Sequence, residues 1–566
     1  MNPTARPIAT LRDLPGAGRW FLAAICLFGI LLRVWYQVGR PFIGDEVGTL
    51  LHIRKTYGYL LTHFEQWLTM NVYIVLIKFL SALSGDQEWV LVAPSLICGI
   101  AAIPLTAAIA VRVTSPATAL LAALLVAGNP YLILYSVQIR SYILLLACSL
   151  ACFVVFLDWC ARPGWGRGTL CAGFACMALL MHANAIYFLI FLALLLMFWI
   201  RNQEKPRWSA GAVKSILSLA VPMFVGVAVA AATYVPLLET MRDFRATWSD
   251  TPPTSLTYVP FVFASYFGRG FFLVPSLVLT AYGLWVALRR NRRLALLAWG
   301  VAVPVATASL LGVSHYPWAY ARFFITVVPL LIVFIAEGVV TLPRRRPSLV
   351  QGALAMLVLL SWVPDFHRMV ADKTLYPWPK VAEHLLREAE PTDRLLTLDD
   401  RRLFTAVNLG IHLGDNYRHL TTIEKYLSDE AGSDGRQQLF VVGGGEPATD
   451  TDDMQTFGNL YVLNYAGTNR HQIANRLLDD LRARLDPKGI DAKLTDHYQA
   501  AGQLMTALSR WDGYSEYVRR YHECLKSDNR HKRRPPQQRD LNGRSNTDRS
   551  NVRTGGELDG PNHAGD

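Results

Sequence analysis

Between Trp20 and Trp362 the chain returns eleven times to an apolar run of bilayer length, and this rhythm limits its fold more than any other feature. The runs lie near 20–38, 89–111, 116–134, 141–159, 168–182, 184–200, 213–236, 271–288, 294–312, 322–341 and 348–363. In hydrocarbon every backbone N–H and C=O must be satisfied inside the segment, so such runs are expected to be membrane-crossing helices. One further apolar piece, VYIVLIKFLSAL (72–83), is too short to span and reads as interfacial or re-entrant. Only 17% of the residues are charged, against about a quarter in a typical soluble chain. The expected class is an α-helical polytopic membrane protein of about 11 spans.

Orientation follows from the basic islands. With the N-terminus in the cytoplasm, Arg112, Arg162 with Arg167, RNQEKPRW (201–208), RRNRR (289–293) and RRR (344–346) all fall inside, as positive charge should. Counting 72–83 as a span would invert everything after it and put the last two clusters outside. The formal net charge of +12 is therefore a topology signal, and a nucleic-acid partner is not expected. Residues 1–19, with Arg6, Arg12 and Arg19 and no small-residue cleavage site after the first run, read as an uncleaved signal anchor. Seven of the eight cysteines lie in or beside apolar runs, with no metal-ligand spacing and no disulfide framework.

The composition changes near Pro364. Residues 1–364 are assigned to the membrane domain, 365–525 to an extracytoplasmic α/β domain, and 526–566 to a disordered polar tail. The soluble part should open with an amphipathic helix using Val381, Leu385 and Leu386, then a strand over Leu395–Leu398. LFVVGGG (439–445) reads as a second strand and IANRLLDDLRARL (473–485) as a helix. The glycines after 439 do not form a nucleotide loop and read as a turn.

Nearly all unusual polar residues of the membrane half fall on the outer face. Asp45 and Glu46 follow the first span. They read either as solvated loop acids or as a pair in which one carboxylate is a general base, partly desolvated at headgroup level beside a second acid. Arg140, with Gln138 and Tyr142, stands where the chain re-enters the membrane. It either snorkels to the headgroups or, with its neighbours, supplies donors to a phosphate. His315, Tyr316, Tyr320 and Arg322 supply a second cationic point. His182 and Asn184 lie at the same level as candidate substrate-binding groups, as do Tyr320, Gln138, Arg269 and Lys78, the last two being weaker phosphate candidates.

Four segments in order resemble the GT-C superfamily of membrane glycosyltransferases, in particular the protein O-mannosyltransferases and the aminoarabinose lipid A transferases. They are GDE (44–46), YSVQIRSYIL (135–144), MHANAIYFL (181–189) and YARFFITVVPLLIVFIAEG (320–338). The resemblance covers most of residues 20–400. It implies the GT-C fold, an extracytoplasmic site and a sugar donor carried on polyprenyl phosphate. It makes Asp45 the catalytic base and places Arg140, Tyr142 and Arg322, helped by His315, on the donor phosphate, with inversion at the anomeric carbon. Glu46 is the second catalytic candidate. No cofactor is expected, although a divalent metal bridging Asp45 or Glu46 to the phosphate would be compatible. The chain departs from the family pattern at Val137 and Gln138, where Gln and an acid are frequent, and at Met70, Asn71 and Val72, where His-Pro-Pro is common. The acceptor is left open among protein, lipid and glycan. The main alternative is a transporter or flippase of polyprenyl-linked sugars. Its ionisable groups should sit at mid-membrane depth in repeated halves, whereas here they gather on one face without a repeat. A scaffold for the outer domain is a third reading and leaves the polar clusters without a purpose.

Overall fold

Each of the eleven long apolar runs is helical in the computed structural model, which describes residues 9–40, 42, 45–64, 70–85, 87–201, 209–242, 258–290, 292–311, 321–342, 347–375, 378–388, 394–397, 420–421, 437–444, 454–457, 460–467, 470–485 and 501. In chain order the helices are α1 Gly16–Gln37, α2 Asp45–His52, α3 Tyr57–Thr62, α4 Asn71–Ser84, α5 Glu88–Val113, α6 Pro116–Gly128 and α7 Pro130–Ser136. They continue with α8 Tyr142–Ala161, α9 Trp165–Met181, α10 Ala185–Arg201, α11 Ala210–Ala232, α12 Tyr258–Phe267, α13 Val274–Arg290 and α14 Arg292–Leu311. α15 Val327–Thr341, α16 Pro347–Ser361, α17 Val363–Leu375 and α18 Trp378–Glu388 follow.

Among the described residues, 6 helices are long and apolar enough to cross a bilayer, and a seventh span forms if the bent pair α6–α7 counts as one. The remaining apolar helices are 10–17 residues long. α4 is one of them: at 14 residues it reaches only about 21 Å, short of the ~30 Å hydrocarbon core. Gly85, at φ 66°, closes it in the left-handed conformation that glycine adopts without a Cβ penalty.

The run expected as one span at 116–134 bends by 60°. The cause is Gly128-Asn129-Pro130. Pro130 cannot continue the α6 hydrogen-bond ladder but suits the first position of a new helix. Asn129 caps that helix, its side chain accepting from the Leu132 N–H at 3.0 Å. Its amide also donates to the Tyr266 carbonyl at 2.9 Å. Arg33, fully buried in α1, ties both sides of the bend together. It donates to the Ala127 carbonyl at 3.1 Å and to Ser136 Oγ at 3.0 Å. Nε and Nη1 of this buried cation are met by hydroxyl and carbonyl oxygens, the Gly29 carbonyl included, while Nη2 has no partner among the described residues.

Helices approach closely where side chains vanish. A Cβ on Gly168 in α9 would overlap the Ser218 carbonyl of α11, and one on Gly283 in α13 would overlap the Phe334 carbonyl of α15. Gly168→Ala should therefore destabilise the protein by about 1–3 kcal/mol through overpacking. Gly211→Ala, with open space around it, should leave stability unchanged. Thermal unfolding in detergent, read by tryptophan fluorescence, checks both.

By contacts the chain divides into two compact units, Met1–Leu420 with Phe440–Glu446 and Asp453–Asn464, and Thr421–Leu439 with Pro447–Asp452 and Tyr465–Asp566. Five strands, β1 Arg394–Thr397, β2 Leu420–Thr421, β3 Gln437–Gly444, β4 Met454–Phe457 and β5 Leu460–Gly467, lie in one sheet in the order β2-β1-β3-β5-β4. β4 and β5 form an antiparallel hairpin with Met454 opposite Leu463 and Phe457 opposite Leu460. The expected helix, strands and later helix appear as α18, β1, β3 and α19 (Arg470–Leu485). Val381 and Leu385 are buried as expected, but Leu386 is exposed and Ala382 takes its place on the inner face. In the second unit Tyr465 Oη donates to Asp480 at 2.6 Å. The segment 526–566 lies outside the described residues.

Candidate active site

Glu46, in the first turn of α2, is the pivot of the site. It is 1% exposed and forms a two-pronged ion pair with Arg40, 2.7 Å at each prong. The Ile139 N–H donates to Glu46 Oε1 at 2.9 Å, and Arg40 Nη2 reaches the Val137 carbonyl at 2.8 Å. One acid and one guanidinium thus fasten the first outer segment to the Val137–Arg140 turn, almost a hundred residues away in sequence. Burial disfavours the charge on Arg40. Glu46 first, then Tyr36 and Glu88, oppose that, and together they hold the guanidinium above its ordinary pKa. The four donor-acceptor contacts make the pair a clamp, and this is the position Glu46 occupies rather than that of an open carboxylate.

Arg140 emerges from this turn, 3% exposed, with Nη1 donating to Thr49 Oγ1 of α2 at 3.1 Å. Its carbonyl accepts from Ser95 Oγ at 3.2 Å. Its charge is felt by Tyr73, Tyr135, Tyr142 and His182. Tyr142, opening α8, is the hub of an aromatic and cationic cluster. The His182 ring centroid lies 5.2 Å from that of Tyr142, and the Arg322 guanidinium sits 5.8 Å from the Tyr142 centroid. His182 also meets the Phe323 ring at 5.9 Å. Four segments distant in sequence therefore converge on one place.

Other expectations divide. Asp45 opens α2 directly before the clamped Glu46; its side chain lies outside the described set. His315 and Tyr320 also lie outside the described residues. Gln138 is half-buried in the same turn as Arg140. Lys78 donates to the Ile53 carbonyl at 2.7 Å and lies over the Tyr57 ring at 5.1 Å, so it braces the end of the first outer segment. Arg269 is exposed and lies near Asp365 of α17. Asn71, standing where the family pattern has its His-Pro-Pro, donates to the carbonyls of Leu60 and His63 and so knits α3 to α4. Among the described residues no three His, Cys, Asp or Glu come together as metal ligands.

Sequence reasoning overlooked Arg40 and Thr49, which build the site, and Arg33, which braces the α6–α7 bend. Arg33 had a signal, since an arginine inside an apolar run is costly unless it has a purpose. Arg40 had a weaker one, standing six residues before the acid it pairs with.

Residues 72–235 match the family described as dolichyl-phosphate-mannose-protein mannosyltransferase. Among solved structures the chain is similar to ArnT from Cupriavidus metallidurans in the apo state. That match has 13% identity and a TM-score of 0.51 and covers 80% of this chain and 98% of that one. The same protein bound to undecaprenyl phosphate matches with 13% identity and a TM-score of 0.51, covering 79% of this chain and 98% of that one. The archaeal oligosaccharyltransferase AglB from Archaeoglobus fulgidus, in complex with an inhibitory peptide and a dolichol-phosphate, matches with 11% identity and a TM-score of 0.44. Here 76% of this chain and 69% of that one are covered. No curated protein matches the chain.

Proposed function

From a chain with the GT-C fold, similar over 72–235 to the dolichyl-phosphate-mannose-protein mannosyltransferases, we propose a membrane glycosyltransferase that takes its sugar from a polyprenyl-phosphate donor. The acceptor is glycosylated on the extracytoplasmic side, with the N-terminus cytoplasmic and the C-terminal domain outside. The observation that carries this reading is the clamp. Glu46 and Arg40 hold the segment opening with Asp45 against the turn that bears Arg140. A base and a cation for a phosphate are the two parts that transfer from a phosphate leaving group requires.

The sugar bond breaks as an acceptor oxygen attacks the anomeric carbon from the face opposite the phosphate. Asp45 accepts the acceptor's proton, and the bonding pair leaves with the phosphate oxygen. Arg140 and Arg322 stabilise that oxygen as its charge grows, inside a buried site where fixed donors act strongly. His315 assists from the same outer segment as Arg322. The phosphate's polyprenyl chain stays in the bilayer, so the donor arrives laterally. We assign no cofactor to the step, and Glu46 acts as a positioning residue.

The test uses full-length protein in liposomes with a radiolabelled polyprenyl-phosphate sugar, scored for sugar transferred to added membrane extract. Arg140→Ala removes a charge-assisted contact of about 1.5–3 kcal/mol. It should raise the donor KM roughly ten- to hundredfold. An unchanged donor KM would remove Arg140 from the phosphate. Translocation of the intact donor without release of its sugar would favour a flippase instead.

A further inference from the structure

The turn joining α9 to α10 holds two donors that the protein itself leaves unused. His182 is 5% exposed. The backbone N–H of Asn184 points at its Nδ1, 3.1 Å away. A backbone nitrogen can only donate, so Nδ1 is the acceptor, the ring is neutral, and the proton resides on Nε2. That Nε2–H is buried and has no hydrogen-bond partner among the described residues, and the same is true of Asn184 Nδ2. Buried donors are almost always met, and an unmet pair on one turn calls for a ligand.

The surroundings specify its chemistry. Tyr142 and Phe323 flank the imidazole, the Arg322 guanidinium sits over Tyr142, and the charge of Arg140 reaches the ring. The unused groups donate, and the charged side chains nearest the ring, Arg140 and Arg322, are positive, while Glu46 is held by Arg40. A sugar hydroxyl could accept from either donor but would make no use of the two guanidinium charges. A phosphate needs only donors and positive charge.

We propose that His182 Nε2–H and Asn184 Nδ2–H donate to non-bridging oxygens of the polyprenyl phosphate, making His182 a neutral phosphate-binding residue beside Arg140 and Arg322. This rests on the transferase reading above and deepens it. The two arginines supply charge, and the imidazole supplies direction, since its ring is fixed by the Nδ1 contact and by the two aromatic neighbours. A fixed donor favours one rotation of the phosphate and hence one approach of the sugar.

The test measures binding of undecaprenyl phosphate, and separately of undecaprenol, to full-length protein in phosphatidylcholine nanodiscs. His182→Phe keeps an aromatic ring and removes the donor. It should raise the Kd for undecaprenyl phosphate about tenfold, equivalent to ~1.4 kcal/mol, and leave undecaprenol unaffected. His182→Gln, whose amide can donate in place of Nε2–H, should restore most of the loss, and Asn184→Ala should show a smaller rise. A folded His182→Phe protein with the wild-type Kd would overturn the proposal and leave the transferase reading standing. Equal weakening for both lipids would also overturn it, because that pattern signifies packing alone. Wild-type protein indifferent to undecaprenyl phosphate would overturn both readings. A measurement needing no variant is the Nε2–H resonance of His182 in 15N-histidine-labelled protein. It should shift on addition of undecaprenyl phosphate, and a stationary resonance would sink the assignment.

Discussion

Asp45→Asn should insert, fold and hold its lipid donor as the wild type does, yet transfer sugar on the order of 10²–10⁴-fold more slowly, the usual contribution of a positioned base. The substitution is nearly isosteric and removes only the ability to accept a proton. Its neighbour Glu46 cannot substitute, because its oxygens are engaged by Arg40 and by the Ile139 N–H. For the same reason Asp45→Asn should not disturb the clamp or thermal stability. Transfer assays at saturating acceptor, together with a donor KM, separate chemistry from binding: the fall should lie in kcat, with donor KM little changed. Wild-type turnover by this variant would remove Asp45 from the chemistry and leave the base unassigned. A fall confined to acceptor KM would make Asp45 an acceptor-binding group instead.

The helices were legible because apolar runs of bilayer length fold as helices, but run length overstated the spans: among the described residues 6 helices, or 7 with the bent pair, are long and apolar enough to cross. The convergence of the four segments was legible for a related reason: ionisable groups interrupting apolar runs are costly to bury and gather where they are used, as the buried Glu46, Arg140 and His182 do. Helix breaks were less so. Residues 116–134 read as one span because hydropathy ignores backbone geometry, and Gly128-Asn129-Pro130, a strong local breaker, lay inside it. Pairings were least legible. Nothing in GRPFIGDE says that Arg40 turns back on Glu46 or that the pair then reaches Val137 and Ile139. Such contacts depend on a chain reversal and on which helices become neighbours. Arg269 carried the same type of signal, and it lies exposed near Asp365.

Arg40→Met should destabilise the membrane domain by about 3–5 kcal/mol, the usual consequence of leaving one member of a buried ion pair uncompensated. Glu46→Leu should do the same, because it strands the guanidinium and leaves the Ile139 N–H without this acceptor. The double variant Arg40→Met/Glu46→Leu removes both charges, and buried pairs replaced by apolar groups of similar size often lose little stability. Much of the lost stability should therefore return, giving a large coupling energy in the double-mutant cycle. Activity should not return with it. The contacts to Val137 O and Ile139 N go with the pair, and α2 is then no longer held against the turn that carries Arg140. Thermal unfolding and transfer assays on the three variants decide between the two roles open to Glu46. If it positions, Arg40→Met and Glu46→Leu should lose comparable activity, although Arg40 belongs to no chemical step. A stable Arg40→Met protein with full turnover, beside an inactive Glu46→Gln protein of normal stability, would instead make Glu46 a direct participant. The geometry favours positioning: a carboxylate with both oxygens gripped at 2.7 Å has little freedom to take a proton from an incoming acceptor.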